Sequence, residues 1–109
     1  MKLLKTLLLA AALLASGGAL AAEASLSIEI KDHRFSPAEL HAPADTPIVL
    51  TVKNADPTPE EFESKTLKVE KVIPGGASGT IRLRPLAKGR YRFFGDFHEA
   101  TAQGELIVE

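Results

Sequence analysis

Ser25-Leu26-Ser27-Ile28-Glu29-Ile30-Lys31 alternates without a break. Leu26, Ile28 and Ile30 fall on one side, and Ser25, Ser27, Glu29 and Lys31 on the other. Successive side chains of an extended chain point to opposite faces, so this pattern predicts a strand with one face on a core and one in water. The same reading extends outward. Pro47-Ile48-Val49-Leu50-Thr51-Val52-Lys53-Asn54 is β-branched and apolar, as a central strand requires. Pro37 and Pro43 bracket a short strand around Leu40. Leu67 and Val69 share a face against Lys68, Glu70 and Val72. Pro74-Gly75-Gly76 is a turn. Thr80 to Arg84 alternates and Pro85 ends it. Lys88-Gly89 turns into Arg90 to Phe94, and Gly104 to Val108 forms the last run. About seven short strands at this turn spacing predict an all-β sandwich. Beyond the N-terminus no apolar period of 3.6 residues leaves room for a helix.

Composition sets the chemical limits. The chain has 109 residues, 45% apolar and 25% charged, with a formal charge of −1. It is long enough for one small domain. There is no basic excess of the kind that binds nucleic acid. There is no cysteine, and the one methionine is Met1. Disulfides, thiolate nucleophiles, iron–sulfur clusters, covalent haem and thiolate metal ligands are all excluded.

The first residues read as an export signal. Lys2 and Lys5 precede an apolar run from Leu7 to Leu14, followed by small residues up to Ala22. The run falls short of the roughly 20 apolar residues that span a bilayer. The expectation is a signal peptide over 1–22 and one domain over 23–109, with no lasting membrane insertion after cleavage. Losing Lys2 and Lys5 takes the formal charge from −1 to −3.

Two stretches break the alternation. The first, Asn54-Ala55-Asp56-Pro57-Thr58-Pro59-Glu60-Glu61-Phe62-Glu63-Ser64, puts Glu60, Glu61 and Glu63 around one Phe. As a loop it is simply a solvated charge run. Extended, it sets Glu61 and Glu63 on one face and Glu60 with Phe62 on the other; in a helical turn Glu60 and Glu63 meet. The second runs from Phe93 to Gly104 and sets His98 between Asp96 and Glu99 in an aromatic cluster. Tyr91, Phe93, Phe94 and Phe97 read as core. His33 and His41 have no neighbouring His or Cys and read as surface or packing residues. Lys65, Lys68 and Lys71 read as a solvated strand edge.

These two stretches resemble the metal-binding regions of cupredoxins, which are Greek-key β-sandwiches holding copper at one end. In that family the first ligand, a His, follows a strand ending in Asn; here Glu60 stands at its place, before Phe62. Tyr91-Arg92-Phe93-Phe94 resembles the approach to the second ligand region, Gly95 stands at the Cys, His98 at the His, and Ala102 near the axial Met. A blue copper centre needs two His and one Cys, so no type 1 copper is expected. The strings Pro-Glu-Glu-Phe-Glu-Ser and Phe-Phe-Gly-Asp-Phe-His-x-x-Thr-Ala-Gln-Gly are similar to the cysteine-free EfeO-type cupredoxin-like domain of bacterial iron uptake. The resemblance also brings the loop Asp32-His33-Arg34-Phe35 toward the metal end.

The resemblance implies a periplasmic protein that works beside an inner-membrane iron permease or other iron-uptake components. Oxygen donors and one imidazole suit an iron or copper(II) ion and disfavour Cu(I). The expected ligands are His98, Glu60, Glu61, Glu63 and Asp96. Two other readings stand beside metal handover: a metal-independent adaptor that docks on a transporter, and a ferroxidase-type redox component. No hydrolase motif is present.

Overall fold

The structure, a computed structural model, describes residues 22–109; the expected signal peptide lies almost wholly outside them. Nine strands form two sheets: β1 (Ala24–Lys31), β2 (Arg34–Ser36), β3 (Glu39–Ala42), β4 (Ile48–Asn54), β5 (Glu60–Ser64), β6 (Val69–Ile73), β7 (Ser78–Leu83), β8 (Gly89–Gly95) and β9 (Gln103–Val108). One sheet runs β2-β1-β4-β7 and the other β3-β9-β8-β5-β6. The β1–β4 and β3–β9 pairs are parallel and the others antiparallel. All the parallel pairs join strands distant in sequence, as crossovers between two packed sheets demand.

The strand alternation does what the sequence predicts. Ile28 and Ile30 of β1, Leu50 and Val52 of β4, and Ile81 and Leu83 of β7 are buried against Leu40, Phe62, Phe93, Leu106 and Val108 of the other sheet. At the centre, Phe35 meets Phe62 and Phe93 edge-on at 5.9 and 5.1 Å, and Phe62 and Phe93 stack at 5.0 Å. With no disulfide, this apolar and aromatic packing is the main source of stability.

The expectation of about seven strands corrects to nine. The first addition, β2, is three residues long, too short to show a period. The second, β5, is the acidic stretch itself, so its reading as a solvated loop is corrected as well. Its burial alternates strictly, with Glu60, Phe62 and Ser64 inside and Glu61 and Glu63 half-buried on the other side. A buried carboxylate breaks the apolar pattern by which a strand is recognised. Leu67 falls in a turn rather than on a strand. Phe97 is not core: it is 48% exposed, on the single turn of 3-10 helix Asp96–His98, where a three-residue turn cannot reach back into the sandwich.

One polar knot ties the loops of one end. Asn54 is fully buried at the end of β4. Its Nδ2 donates to the carbonyls of Thr58 (2.8 Å) and Ile73 (3.0 Å), and its Oδ1 accepts from the Asp56 amide. The Asp56 carboxylate in turn accepts from the amides of Asp32 (2.8 Å) and His33 (2.9 Å). Asp32 and His33 both have left-handed backbone, at φ 53° and 58°, a conformation uncommon for residues with a side chain. Gly75 closes the knot from the other side, where a Cβ would lie 2.2 Å from the Pro57 carbonyl oxygen.

The amide of His33 is the main cause that holds the Asp56 carboxyl below its usual pKa; burial works against it, and the Asp32 amide and nearby cationic groups add to it. A depressed carboxylate pKa contributes stability above the unfolded-state value, and that stability is lost as pH falls through the folded-state value. Asp56→Ala should therefore cost about 2 kcal/mol by leaving two amides without an acceptor. Urea denaturation at pH 7 and pH 3 should show the gap between wild type and variant shrinking at the lower pH.

Candidate metal centre

Glu60 opens β5 with its side chain pointing inward, and only 1% of its surface is exposed. An unpaired carboxylate in such a place costs several kcal/mol. Three donors meet it here. Oε1 accepts from the amides of Phe97 (2.9 Å) and Glu61 (3.1 Å), and Oε2 accepts from Nδ1 of His98 at 2.6 Å. Among the described residues no buried side-chain polar atom lacks a partner. The Phe97 amide, at the start of the 3-10 turn, finds its acceptor in Glu60, so Glu60 both anchors that turn and fixes the ring of His98.

The space for this carboxylate comes from two small residues. A Cβ on Gly95 would lie 2.6 Å from Glu60 Cδ and 2.7 Å from the Ala102 Cβ. Gly95 has ordinary extended backbone, at φ −96°, so its role is room rather than conformation. Its amide donates to the Ala102 carbonyl (2.9 Å), and Ala102 is fully buried. By the resemblance drawn from the sequence, Gly95 and Ala102 would stand at the Cys and near the Met of the blue-copper pattern. Type 1 copper therefore does not fit: the thiolate is missing, and the Glu60 carboxylate occupies the space that its side chain would need.

His98 reaches Glu60 with one nitrogen, and its side chain is 26% exposed. A carboxylate oxygen accepts, so Nδ1 donates and Nε2 is left facing away from the pair. The ring of His33 stacks on it, with centroids 3.5 Å apart and planes 12° apart. The His33 carbonyl accepts from Thr101 Oγ1 at 2.6 Å.

Of the five expected ligands, the fold brings Glu60 and His98 into direct contact. Glu61 and Glu63 lie on the opposite face of β5, as alternation requires. There they join Glu70 of β6, the cross-strand partner of Glu63, with one carboxylate oxygen from each of the three within 4.8 Å of the others. Asp96 lies near this outer group, close enough for its negative charge to act on Glu61, but it is not one of the three clustered carboxylates. Partial burial, and then the negative charges of Glu70, Asp96 and Glu63, raise the Glu61 pKa. Among the described residues this is the only cluster of three or more possible ligands. The donors thus form two groups, an inner Glu60–His98 pair and an outer set of carboxylates, back to back on one strand.

Sequence reasoning missed two participants. Glu70 was part of an ordinary alternating strand, and only pairing with β5 brings it to Glu63. His33 read as surface or packing; the signal for it was the resemblance that placed residues 32–35 near the metal end. His41 does lie on the surface, between Glu39 (3.3 Å) and Glu109 (3.1 Å).

Gly95→Ala should destabilise the protein by about 2 kcal/mol through overpacking against Glu60. Glu60→Ala should cost more, about 3–5 kcal/mol, because it strips a buried polar cluster of its only acceptor. Chemical denaturation of the two variants checks both values. Equal stability of Gly95→Ala and wild type would contradict the packing account.

A family model described as the cupredoxin-like domain matches residues 4–108. An uncharacterized protein of Rickettsia prowazekii is 49% identical over 83 residues, which cover 76% of this chain and 66% of that protein. Among solved structures, the metal-binding domain of the Streptococcus pneumoniae Cu(I)-exporting P-type ATPase CopA superposes with a TM-score of 0.70 at 20% identity, covering 78% of this chain and 84% of that one. Auracyanin A, a blue copper protein of Chloroflexus aurantiacus, superposes with a TM-score of 0.69 at 14% identity, covering 81% and 100%. At these identities the two structures establish the fold alone. Through the family match, nearly end to end, this cysteine-free sandwich belongs to the cupredoxin-like domain family.

Proposed function

We propose that the protein is an exported metal carrier that binds iron or copper(II) through carboxylates and imidazole and hands the ion to an iron-uptake permease of the inner membrane. The observation that carries this reading is the pair of donor groups gathered on the two faces of β5. One is an imidazole oriented by a buried carboxylate, and the other is a set of carboxylates close enough to share an ion. Oxygen and imidazole donors select hard and borderline cations over Cu(I). The outer carboxylates are half-buried or exposed, which lets an ion enter and leave without unfolding of the sandwich. Burial is the main cause that raises the Glu61 pKa, and the repulsion from Glu70, Asp96 and Glu63 that adds to it is what cation binding relieves. Placement in the periplasm rests on the signal-like N-terminus, and the permease partner rests on the resemblance to the EfeO-type domain. Among the described residues no helix is long and apolar enough to cross a membrane.

A second reading, a metal-independent adaptor, draws support from Phe97. It is a large apolar side chain, 48% exposed, beside the inner donor pair, and exposed aromatics are frequent anchors of interfaces. Pull-down of membrane partners with metal chelated separates the two: retention that depends on Phe97 and not on metal favours the adaptor.

Calorimetric titration with Fe(II), Fe(III) and Cu(II) tests the carrier reading directly. Wild type should bind at least one of them, and Glu61→Gln/Glu63→Gln/Glu70→Gln or His98→Ala should bind at least tenfold more weakly. Absence of any binding tighter than about 100 μM, close to −5.5 kcal/mol, would overturn it.

A further inference from the structure

We propose that His33 and His98 together form a two-imidazole site for a divalent first-row cation, Cu(II) above all, in which Glu60 is the positioning residue and not a ligand. This deepens the carrier reading and rests on it. The two rings come from distant parts of the chain, the β1–β2 turn and the 3-10 turn before β9, and meet face to face at 3.5 Å.

His98 has the arrangement of a metal-binding histidine. Such a residue usually gives its other N–H to a carboxylate, which fixes the tautomer and strengthens the free nitrogen as a ligand. Glu60 takes Nδ1 at 2.6 Å and is itself held by two amides, so Nε2 is the nitrogen presented. The Glu60 oxygens are already filled by these donors within the core, which suits orientation rather than coordination.

His33 is held by its backbone and free at its ring. Its amide goes to Asp56 and its carbonyl accepts from Thr101. Its left-handed φ of 58° is a cost that persists only where the surroundings hold it. Among the described residues, no hydrogen bond is made to the His33 ring. The fold therefore fixes the backbone of His33 beside His98 and leaves the ring with no tie but the stack, its nitrogens unused. A metal lies in the plane of each imidazole, about 2.0–2.1 Å from its nitrogen. Rings 12° from parallel and 3.5 Å apart cannot both point at one ion, so binding swings the His33 ring out of the stack while His98 stays against Glu60. Imidazole donors and the divalent affinity order favour Cu(II), with water completing its coordination.

Electron paramagnetic resonance of the purified full chain with one equivalent of Cu(II) tests this. Wild type should show a non-blue copper signal with modulation from two histidine nitrogens. His33→Gln should show one and bind Cu(II) at least tenfold more weakly. Glu60→Gln should keep two nitrogens while losing about 10–100-fold in affinity. Copper bound to wild type through a single imidazole, or through carboxylates alone, overturns the two-histidine site and leaves the carrier reading standing. The same holds if His33→Gln reproduces the wild-type spectrum, which would make the stack a packing contact only. If wild type binds none of Fe(II), Fe(III) and Cu(II), both fall. The nitrogen count on wild type decides the question even if a variant fails to fold.

Discussion

A carboxylate buried in a β-sandwich must be matched donor for donor, and the Glu60 side chain organises one end of this molecule by that requirement. Its two oxygens call on the Phe97 amide, the Glu61 amide and the His98 ring. Those three groups lie on β5 and on the 3-10 turn, so satisfying the charge also fixes the turn against the strand. Elsewhere the sandwich is held by side chains packed for volume. Here it is held by geometry, since each hydrogen bond admits only a narrow range of positions.

A second polar centre serves the opposite side of the same end. Asn54 and Asp56 bind five backbone groups between them and draw the Asp32–His33 turn, the Pro57–Thr58 loop and the Pro74–Gly76 turn together. One centre thus positions the ring of His98 and the other the backbone of His33, and the rings meet between them. Neither ring is anchored by apolar packing alone. The site end of the fold is a set of loops, and loops have too little apolar surface to fix a side chain without such ties.

Much of this architecture was legible in the sequence, for reasons specific to each segment. Residues 25–31 and 47–54 alternate because one face is core and the other water, and period two is visible in a single sequence. The position of His98 and the absence of a blue copper site followed from the cupredoxin resemblance and the missing cysteine. Residues 60–64 were harder, because their period is carried by Glu60, Phe62 and Ser64, and a glutamate on the inner face reads as polar. The inner role of Glu60 depends on Gly95 and Ala102, which are 35 and 42 positions away, and no local pattern reports such a distance. The Glu63–Glu70 pairing and the His33–His98 stack are likewise products of strand register and loop placement. Phe97 misled because aromatic clusters usually mark core, and only its place in a three-residue turn puts it in solvent.

The mutual fit of Glu60 with Gly95 also bears on how such a pocket arises. A side chain at position 95 overlaps Glu60, and removal of Glu60 alone strands the amide of Phe97 and the ring of His98 without their acceptor. Enlarging position 95 alone produces a collision, and trimming position 60 alone produces a hole with unmatched donors. The two positions therefore tolerate change only in concert, although 35 residues separate them.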